Sequence, residues 1–275
     1  MLTINLGPIA LPVNLALLYL GFFCAWLVGC WLGYKEKKNP EPALFNILIL
    51  GALGARVAFV VEYFEHYNVD IWKVIDIRDG GFSLPFGIIT GLLVTAYYLW
   101  HKTNIRRPLS IALTVGIAIW AGGMALVNAF ENSQQLPDIA LRDLQGKPLN
   151  LQDLKGKPLV VNLWATWCPP CRREMPVLEK AQKMHRDITF VYLNQGEGQQ
   201  EVQLFLQQQG LTLENIFFDG NARAGQHVGS RSLPTTLFYS KDGQLKHSHL
   251  GELSAGSLAH ALSFIQPSLK HEDIQ

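Results

Sequence analysis

Cys168 and Cys171 are separated by two residues in the segment Trp164-Ala165-Thr166-Trp167-Cys168-Pro169-Pro170-Cys171, directly after the apolar run Pro158-Leu159-Val160-Val161-Asn162-Leu163. A strand leading into Cys-x-x-Cys at a helix start makes one thiol acidic and places the other within bonding reach. The chemistry to expect is dithiol–disulfide exchange. Half of a zinc site is the competing reading. It is disfavoured because the other two cysteines, Cys24 and Cys30, form no second close pair, and His247 and His249 are only two positions apart.

The elements that must hold the motif are legible on either side of it. Residues 131–136 are polar at first and read as a tether, with a domain over 137–275 following. Residues 139–151 read as two short strands about a Gly-containing turn, 157–165 as a buried strand and 172–185 as a helix. A strand is expected at 188–194, a helix at 199–209 ended by Gly210, and a short strand at 216–219. Residues 235–240 and 245–250 form a hairpin, and 254–265 a closing helix with Ser254 as its cap. Strands alternating with helices, then a hairpin and a helix, give an α/β sheet of the thioredoxin type.

The 275-residue length suggests about two domains, and charge separates them. Residues 1–130 carry 16 charged side chains and 131–275 carry 29, while the net charge of +1 does not imply nucleic acid. Residues 1–34 contain no Asp, Glu, Lys or Arg, and 11–33 is long enough to span a bilayer. Further spans fit 43–61, interrupted only by Arg56, and 80–100 and 108–130. The first 130 residues therefore read as an α-helical membrane domain of four predicted transmembrane helices. No positive charge precedes the first run, so a cleaved signal peptide is not expected. Lys35, Lys37 and Lys38, then Lys102, Arg106 and Arg107, mark cytoplasmic loops. The middle connector sets Glu62, Glu65, Asp70, Asp76 and Asp79 against Lys73 and Arg78. The N-terminus and everything after Phe130 are then outside, which in a bacterium means a multi-pass inner-membrane protein with its Cys-x-x-Cys domain in the periplasm.

Arg56 is a functional candidate by its position in a span; the alternative is an arginine near the outer interface that pairs with a connector acid. Cys24 and Cys30 lie about 240° apart around a helix and read as small packing residues. The segments Gly51-Ala52-Leu53-Gly54-Ala55-Arg56-Val57-Ala58-Phe59, Glu62-Tyr63-Phe64 and Gly80-Gly81-Phe82-Ser83-Leu84-Pro85-Phe86-Gly87 resemble the prolipoprotein diacylglyceryl transferase family over residues 45–130. Two departures stand out. The family's His-Gly-Gly reads Pro85-Phe86-Gly87 here, and the stretch 121–128 lacks the family's arginine. A related scaffold that binds a lipid or a partner is expected, with diacylglyceryl transfer as the alternative.

Trp167-Cys168-Pro169-Pro170-Cys171, Glu174, Pro176 and Ser232-Leu233-Pro234-Thr235 resemble the TlpA/ResA branch of thioredoxin-fold oxidoreductases over residues 137–267. Cys168, at a helix N-terminus that favours a thiolate, is expected to be the exposed attacking thiol and Cys171 the resolving thiol. Pro169 and Pro170 fit the first helical turn but remove N–H donors that would otherwise solvate the sulfur. Glu174, one turn beyond Cys171, accepts its proton if partly buried with a raised pKa, or is a solvated helix carboxylate. Thioredoxins proper often place an acid where Asn162 stands. Pro176 is expected to kink the helix. The resemblance implies a cis-proline at Pro234 facing the disulfide, with Leu233 shaping partner choice. Trp164 is expected in the core and Trp167 at the rim beside Cys168. The redox-active Cys168–Cys171 pair serves without a separate cofactor or metal. The resemblance implies reduction of periplasmic Cys-containing proteins such as apocytochrome c, and a membrane electron donor of the DsbD/CcdA kind. Thiol oxidation or isomerisation by the same cysteines is the alternative.

Overall fold

A charge-free run of span length, apolar on every side, is satisfied by burial or by lipid, and in lipid its backbone only by a helix or a closed barrel. The first part of the chain follows that rule. The computed structural model describes residues 3–6, 9–67, 72–230 and 232–266; Asp70, the side chain of Lys73 and the expected end of the second domain at 267–275 lie outside these. Two short strands, β1 (Thr3–Leu6) and β2 (Ile9–Pro12), pair antiparallel ahead of α1 (Val13–Glu36). Next come α2 (Glu41–Glu62), the short α3 (Trp72–Ile75), α4 (Leu84–His101) and α5 (Arg106–Ser133). Helices α1, α2, α4 and α5 are each long and apolar enough to cross a membrane.

The chain divides into two compact units, one of residues 13–127 and one of residues 1–12 with 128–275. In the first unit small residues bring helices close. A Cβ at Gly116 of α5 would meet the Cβ of Ala25 and the carbonyl of Gly21 on α1, both at 2.8 Å. That is closer than any side chain allows, and it is how helices pack where lipid supplies no hydrophobic drive between them. Large apolar side chains such as Leu53, Val57, Leu93 and Trp100 are exposed, as a lipid-facing surface requires. The third expected span becomes helical only at Leu84. Gly80 takes a left-handed turn and Pro85 sits in the first helical turn, so residues 80–83 belong to the connector.

In the second unit, residues 131–133 continue α5 and Gln135 bridges to Gln244, so the polar stretch read as a tether is tied down. There follow β3 (Ala140–Asp143), β4 (Pro148–Asn150), β5 (Leu159–Trp164), α6 (Pro169–Met184), β6 (Thr189–Asn194), α7 (Gln199–Gln209), β7 (Ile216–Phe218), α8 (Arg223–Val228), β8 (Thr235–Tyr239), β9 (Leu245–Leu250) and α9 (Ala255–Leu262). The sheet order is β4-β3-β7-β6-β5-β8-β9. Strands β5, β6 and β7 run parallel, and β8 returns antiparallel beside β5.

The strand period of two sorts β5 between the two faces. Val160 and Trp164 join a core with Met175 and Leu178 of α6, Val202 and Phe205 of α7, and Leu258 and Leu262 of α9. Leu159, Val161 and Leu163 face the other way, toward Ala224 and Val228 of α8. Asn162 lies on the first face, so its side chain points at α6. Ser254 caps α9, its hydroxyl accepting from the Ser257 N–H at 3.1 Å. Pro176 is accommodated inside α6, which continues to Met184.

Candidate active site

Strand β5 delivers the chain to the end of the sheet, residues 165–167 turn it, and Cys168 becomes the N-cap of α6. Pro169 and Pro170 occupy the first turn and offer no N–H. The first available donor is the Cys171 N–H, which reaches Cys168 Sγ at 3.3 Å. Cys168 and Cys171 are joined as a disulfide with Cα atoms 5.3 Å apart. One expectation needs correcting. Cys168 is only 3 % exposed, because its side chain turns inward to bond the fully buried Cys171. The exposed group is its neighbour Trp167, at 66 %, which stands at the rim; Trp164 is in the core.

Glu174, one turn beyond Cys171 on α6, is completely buried. Its Oε1 accepts from Asn162 Nδ2 at 2.8 Å, and its Oε2 from the Leu253 N–H at 2.9 Å. Burial pushes its pKa from the ordinary 4.5 up to about 8, against the pull of the Leu253 and Asn162 hydrogen bonds and with a small push from Glu252. The solvated-carboxylate alternative does not fit this environment. Asn162 Nδ2 also donates to Thr236 Oγ1 at 2.9 Å, while its own Oδ1 has no hydrogen-bond partner among the described residues. Rotating that amide by half a turn would bring Oδ1 to face Glu174 and Thr236. The amide can therefore donate to an ionised Glu174 or accept from a protonated one.

Leu163 pairs with Thr235 across β5 and β8, so Pro234 lies at the sheet end that carries the cysteine turn. The Leu233–Pro234 peptide is cis, Pro234 is buried, and Leu233 packs against both cores. Thr236 and Leu253 escape the sequence reading. Thr236 carries a weak signal, as a hydroxyl two residues from the expected proline. Leu253 contributes a backbone N–H and carries none.

Arg56 belongs to the membrane unit. Its Nε donates to the Val74 carbonyl at 3.1 Å, and Nη2 to the Asp76 carbonyl at 2.7 Å. Nη1 donates to the Gly81 carbonyl at 2.8 Å and pairs with Asp79 Oδ1 at 2.9 Å. Asp79 Oδ2 accepts from the Tyr67 hydroxyl at 2.7 Å. Arg56 pairs with a connector acid, as one of its two expectations had it. Substituting Arg56 with Met should leave the buried Asp79 carboxylate without its cation and destabilise the membrane unit by about 3–5 kcal/mol. Thermal exposure of Cys24 and Cys30 to a thiol-reactive fluorophore, in oxidised protein, reads this directly. An unchanged midpoint would refute the clamp.

A central parallel strand feeding a Cys-x-x-Cys helix cap, a buried carboxylate behind it and a cis-proline at the same sheet end define a thioredoxin-fold dithiol–disulfide protein. The Redoxin family model matches residues 131–262, and the prolipoprotein diacylglyceryl transferase model matches residues 2–130. Thiol-disulfide oxidoreductase ResA of Geobacillus thermodenitrificans is 30% identical over 161 residues, 58% of this chain and 92% of ResA. Thioredoxin-like protein YneN of Bacillus subtilis is 32% identical over 136 residues, 48% of this chain and 79% of its own length. Among solved structures, a thiol:disulfide interchange protein DsbE from Chlorobium tepidum aligns with a TM-score of 0.44 and 24% identity, over 50% of this chain and 96% of that one. The chain belongs to the ResA-type thiol-disulfide oxidoreductases, and the stretch ahead of its redox domain matches the prolipoprotein diacylglyceryl transferase model.

Proposed function

We propose that this chain is a membrane-anchored periplasmic disulfide reductase acting on specific Cys-containing proteins, cytochrome c precursors being one such class. The Cys168 thiolate attacks a substrate disulfide, forming a Cys168–substrate disulfide and releasing one substrate thiolate. The Cys171 thiolate then attacks Cys168 Sγ, releasing the second substrate thiolate and closing Cys168–Cys171. Two electrons pass to the substrate. A membrane dithiol donor of the DsbD/CcdA kind reopens the pair by the reverse exchange. The observation that supports this reading best is the Cys168–Cys171 pair at the start of α6 with Glu174 buried one turn behind it.

The deciding measurement is the reduction potential of the full chain in detergent. A value at the reducing end, roughly −270 to −200 mV, is expected; one near −120 mV would replace the reductase with a thiol oxidase. An alkaline phosphatase joined after Gln135 should be active, and an inactive fusion would put the site in the cytoplasm. The match of residues 2–130 to the transferase family supports a second reading, lipid binding or transfer by the membrane half. Transfer of labelled diacylglyceryl to a lipobox peptide, undiminished in Cys168→Ser, would establish it. The engagement of Arg56 with the connector weighs against it.

A further inference from the structure

Strands β5 and β6 end in register, with Trp164 opposite Asn194, and the Gln195 N–H donates to the Trp164 carbonyl at 2.9 Å. From there the two chains diverge. One makes the turn that carries Cys168; the other makes the Gly196-Glu197-Gly198 loop that starts α7. Glu197 reaches back across the gap. Its Oε2 accepts the Thr166 backbone N–H at 2.7 Å, and its Oε1 accepts the Thr166 hydroxyl. Its own placement is fixed by Asn194, the last residue of β6, which is fully buried. Asn194 Nδ2 donates to Glu197 Oε2 at 2.6 Å, and the Glu197 N–H donates to Asn194 Oδ1 at 3.2 Å. A carboxylate held at both ends thus grips the turn two residues before Cys168, with both oxygens spent on the same residue.

We propose that Glu197 is a positioning residue for Cys168 whose work falls in the reduced state. In the oxidised protein the bond to Cys171 anchors Cys168 to α6 whatever Glu197 does. When that bond opens, the attacking sulfur is located by its own turn, and the Glu197–Thr166 grip is what ties that turn to the neighbouring strand end. The reduced protein must place Cys168 Sγ in line with a substrate disulfide, so it is the state that suffers if the turn wanders. The inference rests on the dithiol exchange proposed above.

The test uses the full chain in detergent and follows two rates. One is attack by the reduced protein on a cystine peptide; the other is reduction of the oxidised protein by dithiothreitol. Glu197→Ala should slow the first by roughly 10- to 100-fold, the scale of losing an aligned geometry, and leave the second unchanged. Glu197→Gln keeps one acceptor oxygen and should recover most of the loss. Thr166→Val keeps the backbone contact, and should give a smaller loss in the same direction even if Glu197→Ala fails to fold. An unaltered first rate in Glu197→Ala, or an equal fall in both rates, overturns the inference. If the wild-type chain performs no exchange at all, it is the functional reading that fails.

Discussion

Replacing Cys171 with serine is expected to stop the cycle at its covalent stage. The reduced Cys171→Ser protein should still attack a substrate disulfide and then remain attached, as one adduct per chain on a non-reducing gel. It should show no turnover beyond that single event. Cys168→Ser should form no adduct and catalyse nothing. The asymmetry follows from placement. Cys168 caps α6, where the Cys171 N–H points at its sulfur and the helix end favours negative charge. Cys171 lies inside the helix and is fully buried among Trp164, Met175 and their neighbours, so a protein disulfide cannot reach it. Its sulfur can meet only the one sulfur next to it, which is what resolution requires. The small exposure of Cys168 does not reverse the assignment, because opening the disulfide frees that side chain at the rim beside Trp167. An adduct formed by Cys168→Ser and absent from Cys171→Ser would overturn it.

The elements around the motif were legible because their signals are local. The β-branched run of β5, the Cys-x-x-Cys with its two prolines, the Ser254 cap and the charge-free spans each announce themselves within a few residues. Other elements were not legible, α8 and the β1–β2 pair among them. Helix α8 is six residues long, too short for a helical period to register, and is held by Asp219 accepting the Arg223 and Ala224 N–H groups. The β1–β2 pair falls within an apolar stretch of sequence that reads as the approach to a span. The site divides in the same way. Glu174 is legible because it shares a helix face with Cys171, a relation spacing alone reveals. Glu197 lies 31 residues beyond Thr166, in a loop that reads as an ordinary polar turn. Only the parallel register of β5 and β6 brings it there, and no local pattern encodes that. Asn162 is legible as a departure from an acid. That its amide serves both Glu174 and Thr236 depends on β8 pairing Thr236 opposite Asn162 and on α6 packing over that face of the sheet.

The second large effect belongs to Glu174, and it has opposite signs in stability and in rate. Its pKa in the folded protein, about 8, lies above the ordinary 4.5, so the folded chain holds a proton that the unfolded chain has already released. Stability from this group is therefore complete below about pH 4.5 and is lost as pH rises toward 8, by on the order of 4–5 kcal/mol in all. Glu174→Gln should remove that slope. The thermal midpoint of the variant's redox domain should match the wild type near pH 4.5 and exceed it near pH 9, with the Asn162 amide turned to accept from the new side-chain N–H. The rate should move the other way. Resolution of the mixed disulfide requires Cys171 to lose its proton inside the core, and a carboxylate whose pKa is close to that of a thiol is suited to take it. Glu174→Gln should slow resolution most near pH 8, by roughly 100-fold, the lower end of what a positioned base contributes, and less at pH 6, where the wild-type carboxyl still holds its proton. The deficit should narrow at alkaline pH as the thiol ionises unaided. Stopped-flow release of substrate thiol from a preformed Cys168 mixed disulfide, measured from pH 6 to 10, follows this step alone. Superimposable pH profiles for the two proteins would show that Glu174 does no more than fill the core.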